Sequence, residues 1–170
     1  MNRFFTVAAV VLFTSSLGSA ASAQHVPDDE TIPWGSIDNG YKIALSGPST
    51  VRRGEPIPVT VWIGTTTEGL RIALPRFVWT VLDAKGEVIP QLPIGTGGFY
   101  SGSGIPGTDL RPGSAVRYKM DIYGRFHLEP GTYTVTVGTP IRRAIDELKH
   151  PGNAQAFAHP VSRPITVTIE

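Results

Sequence analysis

Alternation of apolar and polar residues is the feature of this sequence that most limits the folds open to it. Five segments show it: Tyr41–Ser46, Ile57–Gly64, Val116–Tyr123, Thr132–Val137 and Ile165–Glu170. Successive side chains of a β-strand point to opposite faces, so a period of two predicts strands with one buried and one solvated face. About six to eight short strands separated by turn signals predict an antiparallel sandwich or barrel.

The segment Phe77–Leu82 departs from this alternation, because apolar residues fill both parities apart from Thr80. Such a pattern predicts a central strand that is covered on both faces. Asp83–Gly86 follows with turn chemistry, in which Gly86 can take a positive φ without steric cost. Glu87–Gln91 is then expected to be the returning strand of a hairpin.

One segment has helical spacing instead. Thr139 is a candidate cap, Pro140 suits the first helical position, and His150-Pro151-Gly152 would end the helix. The apolar residues between them share one helical face: Ile141, Ala144, Ile145 and Leu148. A short helix is therefore predicted before the last strand.

The segment Leu128–Tyr133 (Leu-Glu-Pro-Gly-Thr-Tyr), followed by alternating valines, resembles the tyrosine corner of immunoglobulin-like and fibronectin type III domains. In that corner a tyrosine hydroxyl bonds to backbone a few residues upstream, a role that the resemblance assigns to Tyr133. Trp79 stands where such domains often bury a tryptophan. The two cysteines that flank it in antibody domains are absent, which excludes a true antibody-type domain.

Short motifs extend this resemblance to secreted bacterial immunoglobulin-like modules over about residues 41–170: Gly54-Glu55-Pro56, Leu110–Gly113 and Ser162-Arg163-Pro164. The resemblance implies an all-β, immunoglobulin-like antiparallel β-sandwich of about seven to eight strands, with the short helix before the last strand. It does not imply a function, because this architecture hosts many roles.

Residues 1–23 match a cleavable secretory signal peptide. Arg3 gives a positive start, Phe4–Phe13 is almost wholly apolar, and Ala21-Ser22-Ala23 supplies small side chains for a cut after Ala23. The apolar run is too short to span ~30 Å of hydrocarbon. Residues 24–40 mix acids, prolines and glycines without a period, and are predicted to be a flexible leader before a sandwich at 41–170.

Composition excludes several classes of protein. Removal of residues 1–23 from the 170 leaves 147, enough for one domain, with 14 basic side chains (Arg3 is lost from 15) against 14 acidic ones. A neutral chain has no electrostatic footprint for nucleic acid or anionic membranes. The absence of cysteine excludes disulfides, thiolate metal sites and a lipid-modified N-terminal cysteine. The product is expected to be free in the periplasm or outside the cell, without stable membrane insertion.

Candidate ligand contacts are aromatic. They are Phe99 and Tyr100 within the glycine-rich segment 95–107, predicted to be a loop, and the outward-facing Trp62, with Trp34 as a second ring of a carbohydrate platform. Alternatively, the two loop aromatics pack into the core and Trp62 packs under the leader.

No catalytic, cofactor-binding or metal-binding residue is predicted, because the histidines lack ligand spacing. The predicted function is binding of an unknown protein or glycan, by a non-enzymatic exported module that uses its end loops. One alternative is a protease-inhibitor-like or assembly module that acts through a loop or edge strand. Another is copper-dependent polysaccharide oxidation, which requires His25 as the first residue of the mature chain.

Overall fold

The computed structural model describes residues 23–27, 30–68, 70–72, 76–93, 108–142 and 157–170. Most of the predicted signal peptide, the glycine-rich segment with Phe99 and Tyr100, and positions 143–150 of the predicted helix lie outside these ranges. The strands are, in chain order, β1 (Ala23–Pro27), β2 (Trp34–Asp38), β3 (Tyr41–Ser46), β4 (Thr50–Val51), β5 (Pro58–Thr65), β6 (Leu70–Ile72), β7 (Val78–Leu82), β8 (Thr108–Leu110), β9 (Ser114–Asp121), β10 (Gly131–Gly138), β11 (Ile141–Arg142), β12 (Phe157–Ala158) and β13 (Ile165–Ile169).

Two sheets make up the body of the domain. The larger is a five-stranded antiparallel sheet in the order β1-β9-β5-β3-β2. The smaller is a four-stranded sheet in the order β4-β13-β10-β7, in which only the short β4 runs parallel to its neighbour. Two short ribbons, β6-β8 and β11-β12, and a 3-10 turn at Tyr123–Arg125 complete the described elements. The all-β prediction and the sandwich are confirmed.

The core lies between the two sheets and is built by the alternation in the sequence. Each long strand contributes one parity to a single buried cluster, which includes Ile43 and Leu45 of β3, Val61 and Ile63 of β5, and Val135 of β10. Burial of aliphatic side chains at about 25 cal/mol per Å² is the main favourable term in folding. Without disulfides, this cluster carries the stability of the domain.

The predicted leader differs from the structure. Residues 23–27 form β1, which pairs with β9 from Ala23↔Tyr118 to Pro27↔Ser114, and residues 34–38 form β2, which pairs with β3. The sheet therefore takes both of its edge strands from a region without a visible period. Their pairing depends on partners far along the chain, which local composition does not encode.

The prediction of a central, doubly covered strand at 77–82 is wrong. β7 is the edge strand of the four-stranded sheet, and its burial alternates: Trp79 and Val81 are buried, whereas Val78 is 53% exposed and Thr80 is also exposed. Phe77 packs against the ring of Trp79 with centroids 6.3 Å apart. The apolar residues at alternate positions of β7 thus pack in the core, and Val78, between them in parity, is an apolar residue on the surface.

Two local predictions near these strands have different outcomes. The turn after β7 is confirmed: Gly86 has φ 82°, and Asp83 Oδ1 accepts hydrogen bonds from the backbone N–H of Lys85 and Glu87. The helix does not begin at Thr139 as predicted, because Ile141 and Arg142 form β11 and pair with β12.

A hydrogen-bonded seam joins β2 to the segment that runs beside β10. The Ser36 N–H donates to Val161 O (2.9 Å), Val161 N–H donates to Ser36 Oγ (3.0 Å), and Ser162 N–H donates to Val137 O (2.9 Å). A Cβ added at Gly35 would collide with the backbone of Val161 and Ser162, so the close approach requires glycine. The seam fixes one edge of the larger sheet against the smaller one.

Candidate binding face

The outer face of the five-stranded sheet carries two tryptophans over a floor of small residues, and we call this surface the tryptophan face. Trp62 of β5 is the Cα partner of Ala44, which is also the partner of Trp34 in β2, so the three lie on the same face. Gly64 is paired with Ala115 on that face. Ala44 and Ala115 are fully buried, while both tryptophan rings are partly exposed.

Gly64 lets the Trp34 ring lie close to the sheet. A Cβ at this position would stand 2.9 Å from Cη2 of Trp34, a distance that real Cβ atoms do not tolerate. A glycine in a strand interior weakens the strand and often marks a close approach. Here the approaching group is the Trp34 ring. Glycine at position 64 lowers the β propensity of the strand, and it gives the ring the space it needs.

A short stretch before β2 crosses this face, and we call residues 30–33 the strap. The inner face of the sheet is filled by the core, and the strap lies over the outer face. Ile32 is 7% exposed and packs with Ala44 and Ala115 in a small second cluster, against which both tryptophans rest. The strap therefore occupies the middle of the face and leaves the rings at its sides.

Positive charge lies over the Trp34 ring and beside Trp62. Lys42 Nζ is 4.3 Å from the centroid of the Trp34 ring, within the range of a cation–π interaction. Arg117 of β9 is the Cα partner of Trp62, and Lys119, two residues further along the same parity, is exposed. The face combines aromatic surface with cations at adjacent positions.

The structure separates the predicted contacts into two groups. Trp62 is partly exposed and packs against the small cluster that contains Ile32 of the predicted leader, and its role in ligand binding stays a prediction. Phe99 and Tyr100 lie outside the described residues, and their role stays a prediction. Lys42 and Arg117 were not predicted as contacts, although each occupies an outward position in an alternating segment.

Tyr133 makes the local contact expected of a tyrosine corner. Its hydroxyl donates a 2.8 Å hydrogen bond to the carbonyl O of Glu129, four residues upstream, and the ring is buried. Trp79 is buried in the sheet that contains Tyr133, and Tyr118 lies across the core in contact with Phe77. Burial raises the pKa of Tyr118 above its ordinary value of 10.0, because the phenolate would lose its hydration.

The described part of the chain contains no group of three or more histidine, aspartate or glutamate side chains placed to hold a metal ion. Within the same ranges, no helix has the length and apolar character to cross a bilayer. A search of protein-family models and a search of curated proteins each found no match to this chain.

Proposed function

We propose that this protein is an exported, non-enzymatic, immunoglobulin-like module that binds a glycan through the tryptophan face. The observation that carries the proposal is the placement of two partly exposed indole rings on one side of a sheet, over a floor of alanine and glycine. Indole rings offer flat apolar surface for the C–H face of a sugar and an N–H for its hydroxyls. A rigid strand framework holds them without an ordering cost on binding.

The immunoglobulin-like identity is supported by local geometry. The bond from Tyr133 to Glu129, the buried Trp79 and the packing of two sheets are features shared with that class. Export is supported by the charged, apolar and small-residue order of residues 1–23. We propose that the mature chain begins at Gln24 and is free in the periplasm or outside the cell.

A glycan array with matched variants tests the binding site. Trp62→Ala should weaken retention by about fivefold or more on any glycan that the native protein binds, since stacking on one ring contributes about 1 kcal/mol or more. Trp62→Phe should recover part of it, because a smaller ring still stacks. Val88→Ala, at an exposed apolar position away from the face, should bind as the native protein does.

Three results would contradict the proposal. One is glycan binding that Trp62→Ala leaves intact. Another is a pull-down from periplasmic extract in which a protein partner is captured equally by native protein and Trp62→Ala, with no glycan bound. The third is N-terminal sequencing that finds His25 first, together with heat in a copper titration, which would favour the oxidative alternative.

A further inference from the structure

We propose that the ligand of the tryptophan face is an anionic glycan, whose carboxylate or sulfate groups are bound by Arg117 and Lys119 while a sugar ring stacks on Trp62. This inference rests on the proposed glycan binding and adds the chemical class of the ligand. It predicts a site that discriminates between charged and neutral polymers of the same backbone.

The tryptophan face carries more basic than acidic side chains, although the mature chain as a whole is formally neutral. The outward positions of β3, β5 and β9 carry three cations, Lys42, Arg117 and Lys119, and one acid, Asp121. Asp121 is committed to backbone: its Oδ1 accepts hydrogen bonds from the N–H of Ile57 (2.9 Å) and Tyr123 (3.0 Å). A formally neutral mature chain thus concentrates positive charge on one sheet face.

The outer face of the other sheet provides an internal contrast. Its outward positions on β7, β10 and β13 carry no charged residue among the described strands, and threonine is the commonest type there. Lysine and arginine are not required to solubilise a sheet face in this protein. Their presence beside both tryptophans therefore points to a partner of opposite charge.

The spacing suits a sugar acid. Trp62 and Arg117 are directly opposite each other on adjacent strands, with Cβ atoms expected about 4.5–5.5 Å apart. A pyranose stacked on the indole would place an equatorial carboxylate or sulfate near the guanidinium, which matches such groups with two parallel N–H donors. Glu30, on the strap, is exposed, and its carboxylate would disfavour an anionic ligand lying across the strap.

Calorimetry with charge-matched pairs tests this class directly. Oligogalacturonate is compared with its full methyl ester, and dextran sulfate with dextran, so that each pair keeps its backbone and loses its charge. Binding of a charged member, with no detectable heat from its neutral partner, supports the inference; the first pair identifies carboxylate and the second sulfate as the group read. Affinity should fall when salt is raised from about 20 mM to about 0.5 M, because exposed charges are then screened.

Variants assign the effect to the cations. Arg117→Gln and Lys119→Gln should each weaken binding by about two- to fivefold, as expected for exposed ion pairs. Lys85→Gln, in the turn after β7 on the other sheet, should leave affinity unchanged. Equal binding of charged and neutral members, weakened in Trp62→Ala, would overturn the anionic assignment and leave the proposed function standing. Absence of binding to every charged and neutral glycan would overturn both.

Discussion

The two outer faces of the sandwich are built on different principles, although both belong to antiparallel sheets with the same inner chemistry. On the four-stranded sheet, threonines of β10 and β13 lie in rows, and Thr132 Oγ1 is 3.3 Å from Thr168 Oγ1. On the five-stranded sheet the outward positions include Trp62, Ala44 and Gly64, and cations lie next to both tryptophan rings.

We call the outer face of the four-stranded sheet the threonine face. It shows which residues are enough for a solvated sheet surface in this protein. Threonine is β-branched, favours strands and presents a hydroxyl to water. The tryptophan face gives up part of that advantage, because alanine and glycine are depleted in strands and large aromatic surface is left at the solvent boundary. A pocket of about 230 Å³ on the threonine side is lined by uncharged residues and by His159, and includes the exposed Val78 and Val161. The aromatic and basic side chains suited to ligand binding therefore lie together on the tryptophan face.

The largest effect is expected from Gly35→Ala, which removes the basis of the comparison by displacing β2 and Trp34 from their positions. The added methyl group would meet the Val161 and Ser162 backbone, which has no flexible side chain to yield, and a cost of about 3 kcal/mol in the free energy of unfolding is expected. Urea unfolding measures it. Gly124→Ala, where a Cβ meets nothing within 4 Å, is the control and should change stability little. Equal stability of the two variants would show that the seam does not hold the sheets together.

Ile32→Ala sharpens the comparison by removing the apolar anchor of the strap. Loss of a buried isoleucine side chain should cost about 2 kcal/mol, and the Trp34 and Trp62 rings should gain exposure to water. A red shift of tryptophan emission in the folded protein, beside urea unfolding, reports both effects. Val161→Ala on the threonine side, already 46% exposed, should produce neither change. An unshifted emission would mean that Ile32 does not cover the rings.

Lys42→Met should have a smaller effect, because it keeps the aliphatic stem and removes only the charge over the Trp34 ring. Loss of the cation–π contact is expected to cost about 0.5–1 kcal/mol. A double-mutant cycle with Trp34→Leu isolates this coupling from other contacts of the lysine. Additive effects of the two substitutions would exclude a direct interaction between charge and ring.

The smallest effect concerns Tyr118, on the inner side of the strand that presents Arg117 and Lys119, and it is absent at neutral pH. The pKa of Tyr118 is raised in the folded state, so the unfolded chain loses this proton first. The contribution of Tyr118 to the free energy of unfolding is therefore fully present below pH 10, and it is lost as the pH rises from about 10 towards the folded-state pKa. Tyr118→Phe should unfold with a shallower loss of stability over that alkaline range. Identical alkaline profiles would show that this tyrosine does not titrate with unfolding.

Sequence patterns predicted the positions of the long strands well and the order of the strands within each sheet poorly. Alternation located β5, β9, β10 and β13, because the face that a residue occupies is a local property of strand geometry. It did not give the neighbour of each strand, so β7 was expected in the middle of a sheet and β1 and β2 were not expected at all. Pairing order is set by contacts between distant segments.

For the candidate site, too, the sequence predicted which way a side chain faces but not which residues are its neighbours. The outward parity of Trp62 was readable from β5 alone. Its proximity to Arg117, to Ala44 and to Ile32 of the strap required the registers of three strands and the path of a crossing segment. Charge that appears balanced along the chain is unevenly distributed once those registers are known.

If the signal is cut after Ala23 as proposed, the position of β1 determines whether cleavage or folding comes first. Under the proposed cleavage, the scissile bond joins Ala23 to Gln24, and both residues are paired with β9 in the folded domain, opposite Tyr118 and Arg117. A peptidase needs an accessible extended chain, which a strand already hydrogen-bonded into a sheet does not offer. The signal must therefore be removed before β1 joins its sheet edge. Completion of the sandwich would then report that the precursor has been processed, and a variant whose sandwich closes early should accumulate uncut.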